Sequence, residues 1–119
     1  MTTMTGRRRV LVVDDEKRVC ELMQVALEKC GYAAETAGSA EAGLELFDAG
    51  RFDLVVTDLY LPGMNGDQFA HLIKRQDGEI PVILLTAYPP AQVPPDVDSI
   101  LVKPFSVEAL KEAISQARK

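Results

Sequence analysis

The sequence predicts an α/β fold in which a parallel sheet carries helices on both faces, and three observations lead to this prediction. Short apolar runs rich in β-branched residues, typical of buried strands, occupy residues 10–13, 54–57, 82–85 and 100–102. Stretches with helical spacing alternate with these runs, and the connections are short. Each run is followed directly by a polar residue. Strands and helices that alternate in this way are typical of a parallel sheet covered on both faces.

The first half of the chain supplies two helices and an edge strand. Apolar residues recur at helical spacing over residues 19–30, and Gly31 follows where a left-handed residue would end that helix. Residues 32–37 are mixed in polarity, as expected for a strand at the edge of a sheet. Ser39 is suited to cap a second helix, which extends to about residue 49.

The second half continues the alternation after the central strand. Residues 61–66 combine proline, glycine and asparagine, which favour a loop before a third helix. Pro81 stands at the start of the fourth strand, a position that tolerates proline. Ser106 is suited to cap the last helix. The apolar stripe of that helix consists of Val107, Leu110, Ala113, Ile114 and Ala117.

Length, charge and hydropathy limit the functions that are possible. The 119 residues are expected to form a single domain over 1–119, with 1–8 as a flexible N-terminal segment. The net charge of -5 argues against direct nucleic-acid binding by this domain. No apolar run approaches the ~18 residues of a membrane span, and residues 1–6 lack the apolar core of a signal peptide. We therefore expect a cytoplasmic protein without a membrane segment.

The polar residues after the strands mark the predicted functional site. Ligands of open α/β sheets bind outside the carboxyl ends of the strands, where Asp14, Asp15, Asp58, Thr86 and Lys103 would meet. Two carboxylates about 5 Å apart repel by roughly 3 kcal/mol at an effective dielectric constant near 20, so three carboxylates need counter-charges. Lys103 supplies one positive charge. A divalent cation would supply the remainder, and oxygen ligands favour Mg²⁺ or Mn²⁺ over zinc.

This set of side chains suits phosphoryl transfer. A lysine and a metal can neutralise the oxygens of a transferring phosphoryl group, and an aspartate can accept that group as an acyl phosphate. The hydroxyl of Thr86 could donate a hydrogen bond to a phosphoryl oxygen. Each residue alone has an ordinary structural explanation, as a helix cap, a turn residue or a solvated charge. Their joint placement at the ends of the strands favours the functional explanation.

Four sequence blocks resemble the signature blocks of the response regulator receiver domain of two-component signalling. They are VDDE at 13–16, TDLYLPGMNG at 57–66, LTA at 85–87 and VKPF at 102–105. The blocks occur in the family's order, and the match extends from about residue 9 to 117. The resemblance implies a flavodoxin-like, doubly wound sheet of five parallel strands in the order 2-1-3-4-5.

The resemblance also implies the reaction and its partners. Asp58 would be phosphorylated from the phosphohistidine of a sensor histidine kinase or a histidine phosphotransfer protein. The domain would promote its own phosphorylation and dephosphorylation without being a conventional enzyme, and it would act on an output domain or a partner protein. In the implied magnesium site, Asp15 and Asp58 bind the ion directly, the Tyr60 carbonyl adds a ligand, and Asp14 acts through a water molecule.

The resemblance assigns the switch to residues that follow the fourth and fifth strands. This chain departs from the family near these residues. Thr86 would be the switch hydroxyl and Lys103 the counter-ion of the phosphate, and the bond from Lys103 to Pro104 would be cis. Many relatives have an aromatic switch residue at the position of Ile100. Coupling of Thr86 to a rotating ring is therefore not expected.

The segment 87–98 is the larger departure, since it contains four prolines where the family has its fourth helix. Proline in a helix interior costs about 3 kcal/mol, and too few residues separate these prolines for a helix. We therefore expect this helix to be absent or reduced to about one turn. In the family, the face formed by that helix, the fifth strand and the last helix often mediates dimerisation and output. This chain is expected to signal through a rearranged loop or another surface.

Three other functions are alternatives. A flavin-binding or nucleotide-binding module would need small residues after the first strand, where this chain has Asp14, Asp15 and Glu16. An aspartyl-phosphate phosphatase would normally carry two aspartates spaced by two residues, whereas Asp14 and Asp15 are adjacent. A receiver-like interaction module that works without phosphorylation is the most serious alternative. The complete set of site residues argues against it.

Overall fold

The computed structural model describes residues 8–118. Residues 1–7 of the predicted flexible segment lie outside the described residues, and Arg8 is the first residue of β1. None of the helices in the described part of the chain has the length and apolar character needed to cross a membrane. The elements in chain order are β1 (Arg8–Val13), α1 (Lys17–Lys29), β2 (Tyr32–Ala37), α2 (Ala40–Ala49), β3 (Leu54–Asp58), α3 (Gly66–Gln76), β4 (Val82–Thr86), β5 (Ser99–Val102) and α4 (Val107–Ala117).

The strands form one five-stranded sheet in the order β2-β1-β3-β4-β5, and every neighbouring pair is parallel. This order confirms the predicted flavodoxin-like α/β fold. The register places Val13 beside Thr57, Asp58 beside Leu85, and Thr86 beside Val102. The carboxyl ends of these strands therefore lie at one edge of the sheet, as predicted.

Alternate residues of the strands face two separate cores. Val10 and Val12 of β1 pack with the apolar faces of α1 and α4, and Leu11 and Val13 pack with those of α2 and α3. The central strands β3 and β4 are buried throughout, which explains why their sequences are continuous apolar runs. The edge strand β2 is mostly half-buried, and its mixed polarity agrees with that position.

The predicted helix ends are present in the structure. Ser39 accepts a hydrogen bond from the Ala42 N–H at 3.1 Å, and Ser106 accepts one from the Ala109 N–H at 3.0 Å. Gly31 follows α1 with a φ of +91°, the left-handed conformation that favours glycine.

No helix lies between β4 and β5, which confirms the prediction for segment 87–98. The last two residues of this segment are held by a buried side chain and by contacts of one carboxylate. Val97 is buried, and Asp98 Oδ2 lies 2.8 Å from both the Val82 N–H nitrogen and the Lys74 Nζ of α3. Val102 of β5, on the sheet face that this segment leaves uncovered, is 46% exposed. The segment is therefore a loop whose far end is attached to β4 and α3.

Candidate functional site

Three carboxylates meet at the edge of the sheet. Asp14 and Asp15 follow β1, and Asp58 is the last residue of the adjacent strand β3. One oxygen of each carboxylate lies within 4.8 Å of the others. Asp14 is 1% exposed and Asp58 is 7% exposed, whereas Asp15 is exposed to solvent. The sequence predicted this cluster, and the adjacency of β1 and β3 brings it together.

Two glycines shape the loop that follows Asp58. The N–H of Gly66, at the start of α3, donates to the Leu59 carbonyl at 2.8 Å. A Cβ atom at Gly66 would overlap the backbone carbonyl of Asp58. Gly63 has a φ of +81°, which turns the loop at a conformation that other residues adopt at a cost. The predicted loop 61–66 is therefore needed to bring α3 back against the end of β3.

Lys103 directly follows β5, the last strand of the sheet, and its side chain reaches the carboxylates. Its backbone N–H donates to the Thr86 carbonyl at 2.9 Å, which extends the pairing of β4 and β5 by one residue. Its Nζ lies 3.0 Å from Asp14 Oδ2, 3.4 Å from Asp58 Oδ2 and 3.5 Å from Glu16 Oε1. The Lys103–Pro104 peptide bond is cis, as the family resemblance implied.

The electrostatic balance raises the pKa of both partners in the central ion pair. Burial raises the pKa of Asp58, the charge of Asp14 adds to this shift, and Lys103 opposes it. Burial alone would lower the pKa of Lys103, but its contacts with Asp14 and Asp58 outweigh burial and raise it. The ammonium group is thus held in its charged form. The Asp58 carboxylate is more basic than an exposed aspartate.

One buried oxygen of this cluster lacks a hydrogen bond. Asp14 Oδ2 has no hydrogen-bond partner in the described part of the chain, because its 3.0 Å contact with Lys103 is an ion pair without hydrogen-bond geometry. Its other oxygen accepts from the Glu16 N–H at 2.9 Å. A buried anionic oxygen that shares one ammonium group with two further carboxylates and accepts no hydrogen bond fits a divalent cation that prefers oxygen ligands. The residues present therefore suit Mg²⁺.

Thr86 lies at the same edge, one residue beyond the β-sheet partner of Asp58. It is fully buried, and its Oγ1 accepts a hydrogen bond from the Tyr88 N–H at 3.1 Å. A hydroxyl that accepts in this way still has its hydrogen available for donation. The N–H of Tyr60 approaches Asp58 Oδ1 at 3.5 Å, a long contact, and the proposed metal contact of the Tyr60 carbonyl stays a prediction.

Sequence reasoning missed two participants. Glu16 has no predicted role at the site, yet its carboxylate contacts Lys103. The backbone N–H of Tyr88, which has no predicted role, donates to the Thr86 hydroxyl. The position of Glu16 directly after two site aspartates was a signal that could have identified it. The Tyr88 contact is a local turn in which the threonine hydroxyl accepts from the N–H two residues later, and Thr86 itself was the signal for it.

Comparison with known proteins points to one family. A sequence model of the response regulator receiver domain matches residues 10–115. The uncharacterized transcriptional regulatory protein YkoG of Bacillus subtilis is 31% identical over 115 residues. That match covers 91% of this chain and 50% of YkoG, so the chain spans about half the length of this relative.

Solved structures agree with the sequence comparison. The chemotaxis protein CheY4 of Vibrio cholerae has a TM-score of 0.87 and 26% sequence identity, and the match covers 94% of this chain and 99% of CheY4. The response regulator TrrA of Thermotoga maritima, whose structure is a complex with Mg(2+)-BeF, has a TM-score of 0.85 and 35% identity. The match covers 92% of this chain and 98% of TrrA.

Proposed function

This chain belongs to the response regulator receiver domain family, and we propose that it accepts a phosphoryl group on Asp58. The donor would be the phosphohistidine of a sensor kinase or a histidine phosphotransfer protein. The observation that carries the proposal is the placement of Asp58. It lies at the end of the central strand, within 4.8 Å of two carboxylates and 3.4 Å from the ammonium group of Lys103.

In the proposed reaction, an oxygen of the Asp58 carboxylate attacks the phosphorus atom. The new O–P bond forms as the N–P bond to the donor histidine breaks, and the imidazole leaves with the electron pair and takes a proton from solvent. The higher basicity of Asp58 favours its role as nucleophile. The Nζ of Lys103 lies 3.4 Å from the Asp58 carboxylate. From there it can move to a phosphoryl oxygen and neutralise its negative charge.

The proposed cation site uses the carboxylate cluster. Asp15, Asp58 and the Tyr60 carbonyl would hold Mg²⁺, with Asp14 acting through a water molecule, and Mn²⁺ is expected to substitute. When bound, the ion supplies positive charge to the phosphoryl oxygens during transfer. The support for this assignment is the oxygen-only donor set and the buried oxygen of Asp14 that accepts no hydrogen bond in the described part of the chain.

Output is proposed to start at Thr86. When the Thr86 side chain moves its Oγ1 toward a phosphoryl oxygen to donate to it, the hydrogen bond that Oγ1 accepts from the Tyr88 N–H is disturbed. Tyr88 is at the beginning of segment 87–98, which replaces a helix and whose far end is attached to α3. We therefore propose a rearrangement of this segment as the signal, independent of an aromatic residue at Ile100.

The wider role is proposed by analogy with the family. The domain is proposed to act in the cytoplasm as a phosphorylated switch rather than a conventional enzyme. Its partners would be a kinase or phosphotransfer protein and an output domain or separate effector. The relative YkoG carries about as much additional sequence as the part that this chain matches.

Intact-mass measurement tests the proposal. The protein is incubated with a small phosphodonor and Mg²⁺, with and without EDTA. We expect a mass gain of one phosphoryl group that requires Mg²⁺ and is absent from Asp58→Asn. Asp48→Asn, which changes an exposed aspartate on α2, is the matched control and should be phosphorylated normally.

Two results would contradict the assignment. A full mass gain in Asp58→Asn would exclude Asp58 as the acceptor. A parent protein that binds Mg²⁺ but never gains mass would favour the alternative, a receiver-like interaction module that works without phosphorylation.

A further inference from the structure

Glu16 is an exposed residue in contact with the buried part of the site. Its Oε1 lies 3.5 Å from Lys103 Nζ, and its side chain is 65% exposed. It is the N-cap residue of α1, but its side chain makes no capping hydrogen bond. Its backbone N–H donates to Asp14 Oδ1 at 2.9 Å, which fixes the position of Glu16 relative to the carboxylate cluster.

Lys103 therefore has more anionic partners than it can neutralise. Two of them, Asp14 and Asp58, are buried, and the third, Glu16, is open to solvent. The single ammonium group is shared among them at 3.0 to 3.5 Å. Any attraction by Glu16 draws this group toward solvent and weakens its pairing with the buried carboxylates.

We propose that Glu16 is a positioning residue that holds Lys103 partly away from Asp14 and Asp58 and so keeps these carboxylates available to a divalent cation. The inference rests on the proposed cation site. It concerns a residue that acts through Lys103, without itself contacting the phosphoryl group or the cation. Lys103 and the cation compete to neutralise the same carboxylates, so a better-paired lysine makes the cation bind more weakly.

The size of the effect follows from the exposure of Glu16. Ion pairs that solvent can reach contribute up to about 1 kcal/mol, which corresponds to a change of roughly fivefold in an equilibrium constant. In Glu16→Gln, the dissociation constant for Mg²⁺ should therefore increase by about two- to fivefold. The effect should shrink at high salt, because salt screens exposed charges.

Calorimetric titration of the full chain with Mg²⁺ measures this directly. Glu16→Asp keeps the charge but shortens the side chain, so it should lose the contact and resemble Glu16→Gln. Glu21→Gln removes an equal charge from an exposed position on α1 and should bind Mg²⁺ like the parent. In a Lys103→Met background, Glu16→Gln should no longer change the affinity.

A second measurement separates positioning from a general structural role. Phosphorylation by a small donor should require more Mg²⁺ for its half-maximal rate in Glu16→Gln, while the rate at saturating Mg²⁺ stays unchanged. Unchanged midpoints of urea unfolding would show that the variants are folded.

Several results would overturn the inference. These are an unchanged Mg²⁺ affinity in Glu16→Gln, an equal loss of affinity in the Lys103→Met background, or a parent that binds no Mg²⁺. A failure of the proposed function looks different. In that case Mg²⁺ titrations would follow the expected pattern, but no protein would be phosphorylated.

Discussion

Replacing Asp58 by asparagine should stabilise the metal-free protein at neutral pH. Carboxylate oxygens of Asp14 and Asp58 lie within 4.8 Å of each other, so at an effective dielectric constant near 20 Asp14 repels the Asp58 carboxylate by at least about 3 kcal/mol. At 3.4 Å, Lys103 attracts it by about 5 kcal/mol on the same scale. Burial of the charge costs several kcal/mol more, and the raised pKa of Asp58 shows that burial and repulsion together exceed the attraction. We expect a net gain of about 1–2 kcal/mol, or roughly 4–8 °C in Tm.

The pH dependence of this gain identifies its cause. Because the pKa of Asp58 is raised in the folded state, the native protein binds its proton more tightly than the unfolded chain does. The stability that comes from this proton is fully present below the ordinary value of 3.8 and is lost as the pH rises through the folded pKa. The advantage of Asp58→Asn should therefore be largest at neutral pH and should disappear as the pH falls toward that value.

Urea unfolding in EDTA, at neutral pH and at about pH 4, tests the prediction. The control is Glu21→Gln, which removes an exposed charge and should change the free energy of unfolding by less than about 0.5 kcal/mol. An Asp58→Asn variant without a gain at neutral pH would refute the electrostatic argument. A gain that is equally large at both pH values would show that packing, and not charge, is responsible.

Three further predictions concern the metal, the lysine and the output surface. Asp14→Asn should weaken Mg²⁺ binding by about tenfold. Asp15→Asn should weaken it more, because removing a direct ligand costs more affinity than removing one that acts through a water molecule. Equal losses of affinity in calorimetry would contradict the assigned roles. Lys103→Ala should bind Mg²⁺ as well as the parent or better, but should be phosphorylated more slowly in the mass assay. A sharp loss of Mg²⁺ affinity would argue against competition between the lysine and the ion. Ile100→Glu and charge reversal at Lys111 should not change the oligomeric state of the phosphorylated protein in light scattering. Phosphorylation-dependent dimers that these changes disrupt would show that the protein dimerises through β5 and α4, as many members of the family do.

Much of the architecture could be predicted because local patterns carry it. Continuous apolar runs predicted the buried strands, and Ser39 and Ser106 predicted two helix caps that the structure contains. The prolines of segment 87–98 predicted the loss of a helix, since proline is incompatible with a helix interior wherever it occurs. The meeting of Asp14 with Asp58 also followed, because the carboxyl ends of adjacent parallel strands share an edge.

The contacts that refine the site were decided only by the tertiary structure. Glu16 and Lys103 are far apart in the sequence but in contact in the structure. This contact depends on how the start of α1 lies against the connection after β5. The hydrogen bond from the Tyr88 N–H to Thr86 is local, since it joins residues two apart, but the burial of Thr86 beside Asp58 depends on the pairing of β3 with β4. Local propensity and hydrophobic periodicity specify which face of an element is buried. Distances of 3.0 to 3.5 Å between side chains from different elements depend on the packing of the whole domain, and the sequence by itself does not encode them in any local pattern.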